Sequence, residues 1–111
     1  MIARMWRGWT RAADMDAYLA GLRKRIQDQV TMPGKRGSIL LRRRVGDRGE
    51  FVTISFWDSL ESIRALGGQQ VEQAVFFPLD DEFLIEREST VSHFEVGGSE
   101  GLAISGSRDP E

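Results

Sequence analysis

Apolar and polar residues alternate from Ile2 to Trp9, a segment rich in Trp and Met. A period of two is the pattern of a strand buried on at least one face. Thr10 and Asp14 then offer helix-start chemistry, and Met15, Tyr18, Leu19, Leu22, Ile26 and Val30 recur at spacings of three and four. Those spacings stack the side chains on one stripe of a long amphipathic helix. Pro33 and Gly34 end it, since proline cannot continue the hydrogen-bond ladder and glycine relaxes the turn. Gly37 to Val45 reads as a second strand, Gly46-Asp47-Arg48-Gly49 as a hairpin turn and Phe51 to Trp57 as a third strand, antiparallel to the second. Asp58 and Glu61 have the spacing of a capping box ahead of an apolar stripe of Leu60, Ile63 and Leu66, and the Gly67-Gly68 pair stops that helix. A short helical piece from Gln70 to Phe76 ends at Pro78, and a last long strand runs from about Phe83 to Val96.

The order strand, helix, strand, strand, helix, strand predicts an α+β, ferredoxin-like βαββαβ unit, with a four-stranded antiparallel sheet and helices on one face. This unit takes residues 1–96; the tail 97–111, rich in Gly, Ser and charge, reads as a mobile or partner-dependent arm. The sheet's other face also carries large groups. Ile39, Leu41 and Val45 point one way and Leu40 the other, while Val52, Ile54 and Phe56 oppose Phe51 and Trp57. An isolated open sheet would leave one of these faces wet. Packing of two sheets face to face removes the conflict, which predicts a homodimer closed into a dimeric α+β barrel.

Composition narrows the chemistry. The chain of 111 residues has 15 Lys+Arg against 17 Asp+Glu, a formal net charge of −2, and this balance argues against an electrostatic nucleic-acid binder. Cysteine is absent, which removes thiolate nucleophiles, disulfides and sulfur-ligated metals and fits a reducing compartment, the cytoplasm. With a single histidine, His-rich metal sites are excluded too. No apolar run approaches the roughly 20 residues that span a bilayer, so no membrane partner is expected, and the N-terminal stretch does not read as a secretory signal. There is no phosphate-binding glycine loop, no dinucleotide fingerprint and no Gly-x-Ser-x-Gly elbow.

The opening Met-Ile-Ala-Arg-Met-Trp-Arg-Gly, the segment Phe51-Val52-Thr53-Ile54-Ser55-Phe56-Trp57-Asp58-Ser59 and the ending Val91-Ser92-His93-Phe94-Glu95-Val96 resemble the antibiotic biosynthesis monooxygenase domain over residues 1 to about 96. The resemblance implies a ferredoxin-like protomer that dimerises through its sheets, with a pocket between sheet and helices in each subunit. It further implies oxygenation of a phenol, anthrone or quinol by molecular oxygen, with neither metal nor flavin. Trp57 matches the tryptophan that lines the pocket in the oxygenating branch, whereas Thr53 stands where that branch has an asparagine and Ile63 where it has a tyrosine. The haem-degrading branch needs an asparagine on the first strand, a tryptophan on the second helix and a histidine after it. Those regions here read Met5-Trp6-Arg7, Leu66 and Glu72-Gln73-Ala74-Val75.

The candidate residues follow, each with a structural alternative. His93, the one imidazole, is a pocket base that accepts a substrate proton, or a strand-edge or dimer-interface residue paired with a neighbour; as a lone haem ligand it is a weaker idea. Trp57 and Trp6 can wall a flat aromatic ligand or simply pack the core, and the parity of Trp6 and Trp9 sends them to opposite faces. Thr53 can supply a hydrogen bond. Arg43 lies among apolar neighbours on its strand, to hold a phenolate or carboxylate, or to pair with Glu86 or Glu88 across subunits. Phe76 and Phe77 form a hydrophobic gate or cap the core. Asp80-Asp81-Glu82 reads as a solvated turn. These residues point to a cofactor-independent monooxygenase-like enzyme, with a non-catalytic ligand-binding or regulatory protein on the same scaffold as the alternative.

Overall fold

A computed structural model describes residues 1–66 and 70–102. β1 (Ile2–Arg11) leads through one turn of 3-10 helix into α1 (Met15–Asp28). β2 (Lys35–Val45) and β3 (Arg48–Trp57) form a hairpin, followed by the short α2 (Leu60–Arg64). α3 (Pro78–Phe83), β4 (Leu84–Arg87) and β5 (Ser92–Glu95) complete the chain. The strands are ordered β2-β3-β1-β4, with β5 also paired to β1, and the described pairings are antiparallel. The order of elements through α2 and the open antiparallel sheet are those the hydropathy pattern predicts, whereas α3 begins at Pro78, where the pattern ends a helix, and the sheet has five strands where it predicts four.

Local chemistry explains each boundary. Val45 pairs with Arg48, so Gly46 and Asp47 alone make the hairpin turn, and Gly46 takes φ 64°, open to glycine at no steric cost. α1 stops at Asp28, short of the Pro33-Gly34 signal, because residues 29–34 close by successive turns. Val30 therefore leaves the apolar stripe and is exposed, while Met32 folds back onto the core. The cap of α2 is Ser59, whose hydroxyl accepts from the Ser62 amide, and not the Asp58–Glu61 pair; Asp58 instead meets Arg36 at 2.6 Å. The expected stop at Gly67-Gly68 and residues 103–111 of the tail lie outside the described residues.

Two expectations fail for one shared reason. Residues 70–76 are not helical, and the last strand is broken between Arg87 and Ser92. Segment 89–91 swings off β1 and bonds to segment 72–74: the Ala74 amide donates to Ser89 O at 3.0 Å and the Val91 amide to Glu72 O at 2.8 Å. An irregular loop whose backbone groups are turned from water must find partners elsewhere. Here it takes them from the strand that the pattern read as continuous.

Strand parity sorts the sheet. On the helix-covered face Arg4, Trp6, Gly8 and Thr10 of β1 are buried, as are Phe51 and Trp57 of β3. Tyr18, Leu22 and Phe51 centre one apolar cluster, and Trp57, Ile63 and Val71 centre a second. The opposite face carries cross-strand rows Phe94–Ala3–Phe56, Met5–Ile54–Ile39 and Arg7–Val52–Leu41. Leu41, Val45 and Phe94 of this face stand about half exposed.

Candidate functional site

Three cross-strand rows on the helix-covered face make the floor of the site. Trp6, Thr53 and Leu40 form one, Arg4, Ser55 and Ser38 the next, and Trp57 and Lys35 the third. Above them α1 contributes Leu22, Arg25 and Ile26, and the loop before α3 contributes Ala74 to Phe77. The cavity measures about 100 Å³ and lies between the two apolar clusters, touching Leu22 of one and Trp57 of the other. A second cavity of about 110 Å³ sits beside it under residues 70–75, and Arg4, Leu66, Ala74 and Val75 border both.

Trp6 lies flat along its own strand because Gly8 has no Cβ; one there would fall on the indole. Its Nε1 donates to Glu88 O at 2.7 Å, and its ring meets Phe76 edge-on at 6.2 Å. Trp57 Nε1 donates to Ser55 Oγ at 2.8 Å, so the one indole polar group is satisfied inside the wall. Phe76 is covered by the Arg87 guanidinium at 4.3 Å and Phe77 by that of Arg25 at 4.5 Å.

Asp80, expected in a solvated turn, is instead buried. It accepts from Tyr18 Oη at 2.7 Å, from Arg25 Nη1 at 3.0 Å and from the Phe77 amide at 2.9 Å. Pro78 fits the first turn of α3, where its missing N–H would be unpaired anyway. One carboxylate thereby caps α3, anchors α1 and fixes the Phe76–Phe77 loop. Burial and the Asp80 carboxylate together push the Tyr18 phenol well above its ordinary range.

The floor's central residue is one the sequence reading passed over. Arg4 is 7% exposed, and its Nη1 donates to Val71 O at 2.7 Å and its Nη2 to Gln73 O at 3.1 Å. Nη1 also lies 3.1 Å from His93 Nε2; since a guanidinium only donates, His93 accepts there and carries its own hydrogen on Nδ1. Burial, then the Arg4 charge, hold the His93 pKa below its ordinary value, against an upward pull from Glu72. Burial also lowers the pKa of Arg4 itself and, with Arg25, that of Lys35. Lys35 donates to Gln29 Oε1 at 3.1 Å and lies 5.8 Å over the Trp57 ring.

Of the residues singled out from the sequence, Trp6, Thr53, Trp57, Phe76 and Phe77 line one cavity. His93 does not; it reaches the wall only through Arg4. Arg43 is on the other face of the sheet, where it pairs with its cross-strand neighbour Glu50 at 2.8 Å. Glu50 also meets Arg7 at 3.6 Å, and Glu86 is held by Arg48. Among the described residues no three His, Asp or Glu side chains converge as a metal site. His93 is not placed to ligate a haem in this cavity: it is off the wall, with Nε2 engaged by Arg4.

The arrangement is that of a ferredoxin-like α+β protein with its pocket between sheet and helices. No family model matches the chain, and no curated protein matches it. Solved structures do. An antibiotic biosynthesis monooxygenase superposes with a TM-score of 0.63 at 16% identity, covering 88% of this chain and 100% of its own. A Bacillus cereus protein provisionally named for the same activity gives 0.57 at 12% identity, covering 91% and 97%. MhuD, in a variant with two manganese protoporphyrin IX bound per active site, gives 0.52 at 21% identity, covering 92% and 100%. The chain thus has the fold of the antibiotic biosynthesis monooxygenase structures, as the sequence resemblance implies. No described helix is long and apolar enough to cross a membrane.

Proposed function

We propose that the protein is a monooxygenase-type enzyme that acts without a bound cofactor on a small, hydrophobic aromatic molecule, and that it works as a homodimer packed through the outer sheet faces. The observation that carries this reading is the convergence of Trp6, Thr53, Trp57, Phe76 and Phe77 on one cavity between sheet and helices. A methylene flanked by electron-rich rings loses a proton to give a delocalised carbanion, and that anion can pass an electron to molecular oxygen. Recombination and loss of water replace two hydrogens by one oxygen: CH2 and O2 become C=O and H2O. The protein's part is to exclude water with its indole and phenyl walls, to orient the substrate through Thr53, and to offer donors to the developing oxyanion. His93 contributes at one remove, by fixing the guanidinium of Arg4.

A second reading has its own support. The carboxylate and the imidazole nearest the cavity are already engaged, Asp80 by three donors and His93 by Arg4. Without a free base, the same chamber suits a non-catalytic binder. Oxygen uptake by metal- and flavin-free protein, given a panel of anthrones and quinols, separates the two. The enzyme reading expects uptake and a product bearing one oxygen in place of two hydrogens. Ligand-dependent quenching of Trp fluorescence with no oxygen consumed would leave the binder.

A further inference from the structure

We infer that the occupant of this chamber is an anion, an aromatic carboxylate or an ionised enol or phenol, and that its charged oxygen seats on Arg4. The inference rests on the reading of the chamber as an aromatic-ligand site and adds a charge requirement to it. Arg4 is a buried cation whose partners are all neutral: two backbone carbonyls and an imidazole nitrogen. Arg25, Arg43 and Arg48, by contrast, each meet a carboxylate. A charge withdrawn from water without an opposite charge is costly, and an anionic guest removes that cost.

The rest of the lining has the same sign. Its charged residues are Arg4, Arg25, Lys35 and Asp80, and Asp80 is neutralised by Arg25. Lys35 too has a neutral polar partner, the side-chain amide of Gln29. In the same row as Arg4, Ser38 Oγ is sealed from solvent and makes no hydrogen bond, so a polar group on the guest would find an unused partner there.

Size brings the guest to Arg4. An apolar cavity of about 150 Å³ holds one benzene ring. Neither void, at about 100 and 110 Å³, reaches that volume alone, and together they exceed it. A fused ring system that enters either void meets Arg4, which borders both. If Arg4 merely ties the 70–75 loop to β1, the charge of the ligand would not matter.

The test is calorimetric titration of the full chain at pH 7.5 with two matched pairs. 2-Naphthoate is compared with neutral 2-naphthamide, and ionised 2-hydroxy-1,4-naphthoquinone with its methyl ether. At least one anion should bind about ten- to a hundredfold more tightly than its neutral twin, the range of a charge-assisted hydrogen bond. The pair showing the preference identifies carboxylate or enolate as the group recognised. Arg4→Gln should abolish the preference while leaving the neutral twin's affinity within about threefold, and Lys35→Gln should keep it. Should Arg4→Gln fail to fold, Arg4→Lys takes its place, keeping a charge preference but weakening the anion severalfold through loss of the fork. Equal binding of anion and neutral twin to the wild-type chain overturns the inference and leaves the aromatic chamber standing. Binding of neither overturns both. A preference unchanged by either Arg4 substitution, or lost with Lys35, removes Arg4 from the role.

Discussion

Arg4 and His93 illustrate how a single contact sets protonation. His93 must be neutral for Nε2 to accept from Arg4, and its pKa is held down accordingly. A group whose folded pKa lies below its unfolded value adds stability above the unfolded value, about 6.5 for histidine, and loses it as pH falls through the folded one. Acid therefore sets imidazolium against guanidinium, with Glu72 as a partial counterweight. His93→Gln keeps an acceptor for Arg4 but cannot titrate. Thermal midpoints measured from pH 8 to 5 should show the wild type losing ground to this variant on the acid side; a constant difference would contradict the pairing. Gly8→Ala probes the other delicate contact. Its new methyl collides with the Trp6 indole, so the variant should lose about 1–3 kcal/mol in urea unfolding and shift the Trp emission.

Among the elements, α3, of 6 residues, is the most dependent on one side chain. Asp80 links α1, α3 and the Phe76–Phe77 loop through Tyr18, Arg25 and a backbone amide. Removing it strands a buried phenol and leaves Arg25 unpaired. Asp80→Ala should cost about 3–5 kcal/mol of unfolding free energy, against near-neutral behaviour for Asp81→Ala, whose partner Arg87 is at the surface. Similar losses for the two would place the weight of the loop elsewhere. Strand parity was legible at this scale: alternation put Trp6 and Trp9 on opposite faces and grouped Phe51 with Trp57. The buried acid was not, because Asp80-Asp81-Glu82 has the composition of an exposed turn and only the packing of α1 against α3 turns one of the three inward.

For the whole molecule, the outer sheet face raises the largest question of covering. Its rows of Met5, Ile39, Ile54, Leu41, Val52 and Phe94 have no helix over them among the described residues. Patches of this kind mark association surfaces. The proposed dimer predicts that Leu41→Glu, a charge placed at a half-exposed apolar position of this face, yields monomers in sedimentation velocity without altering far-UV circular dichroism. A wild-type chain that sediments as a monomer at micromolar concentration would remove the dimer from the reading.

Period and punctuation along the chain determined the elements from β1 to α2, their order and the face each strand residue takes, because those depend on local geometry repeated every two or 3.6 residues. The open antiparallel sheet followed, whereas Thr53 and Trp57 entered as pocket residues through the family resemblance. Only the tertiary structure decided where the charges went. Arg4, one polar position in an alternating strand, became a buried cation with neutral partners. Arg43 found Glu50 on its own sheet, and His93 turned toward Arg4 instead of the cavity. The break between β4 and β5 belongs with them, since residues 89–91 left the sheet to satisfy the loop at residues 72–74. Partners of charges and backbone groups are chosen by distance in space, and no window along the chain contains that information.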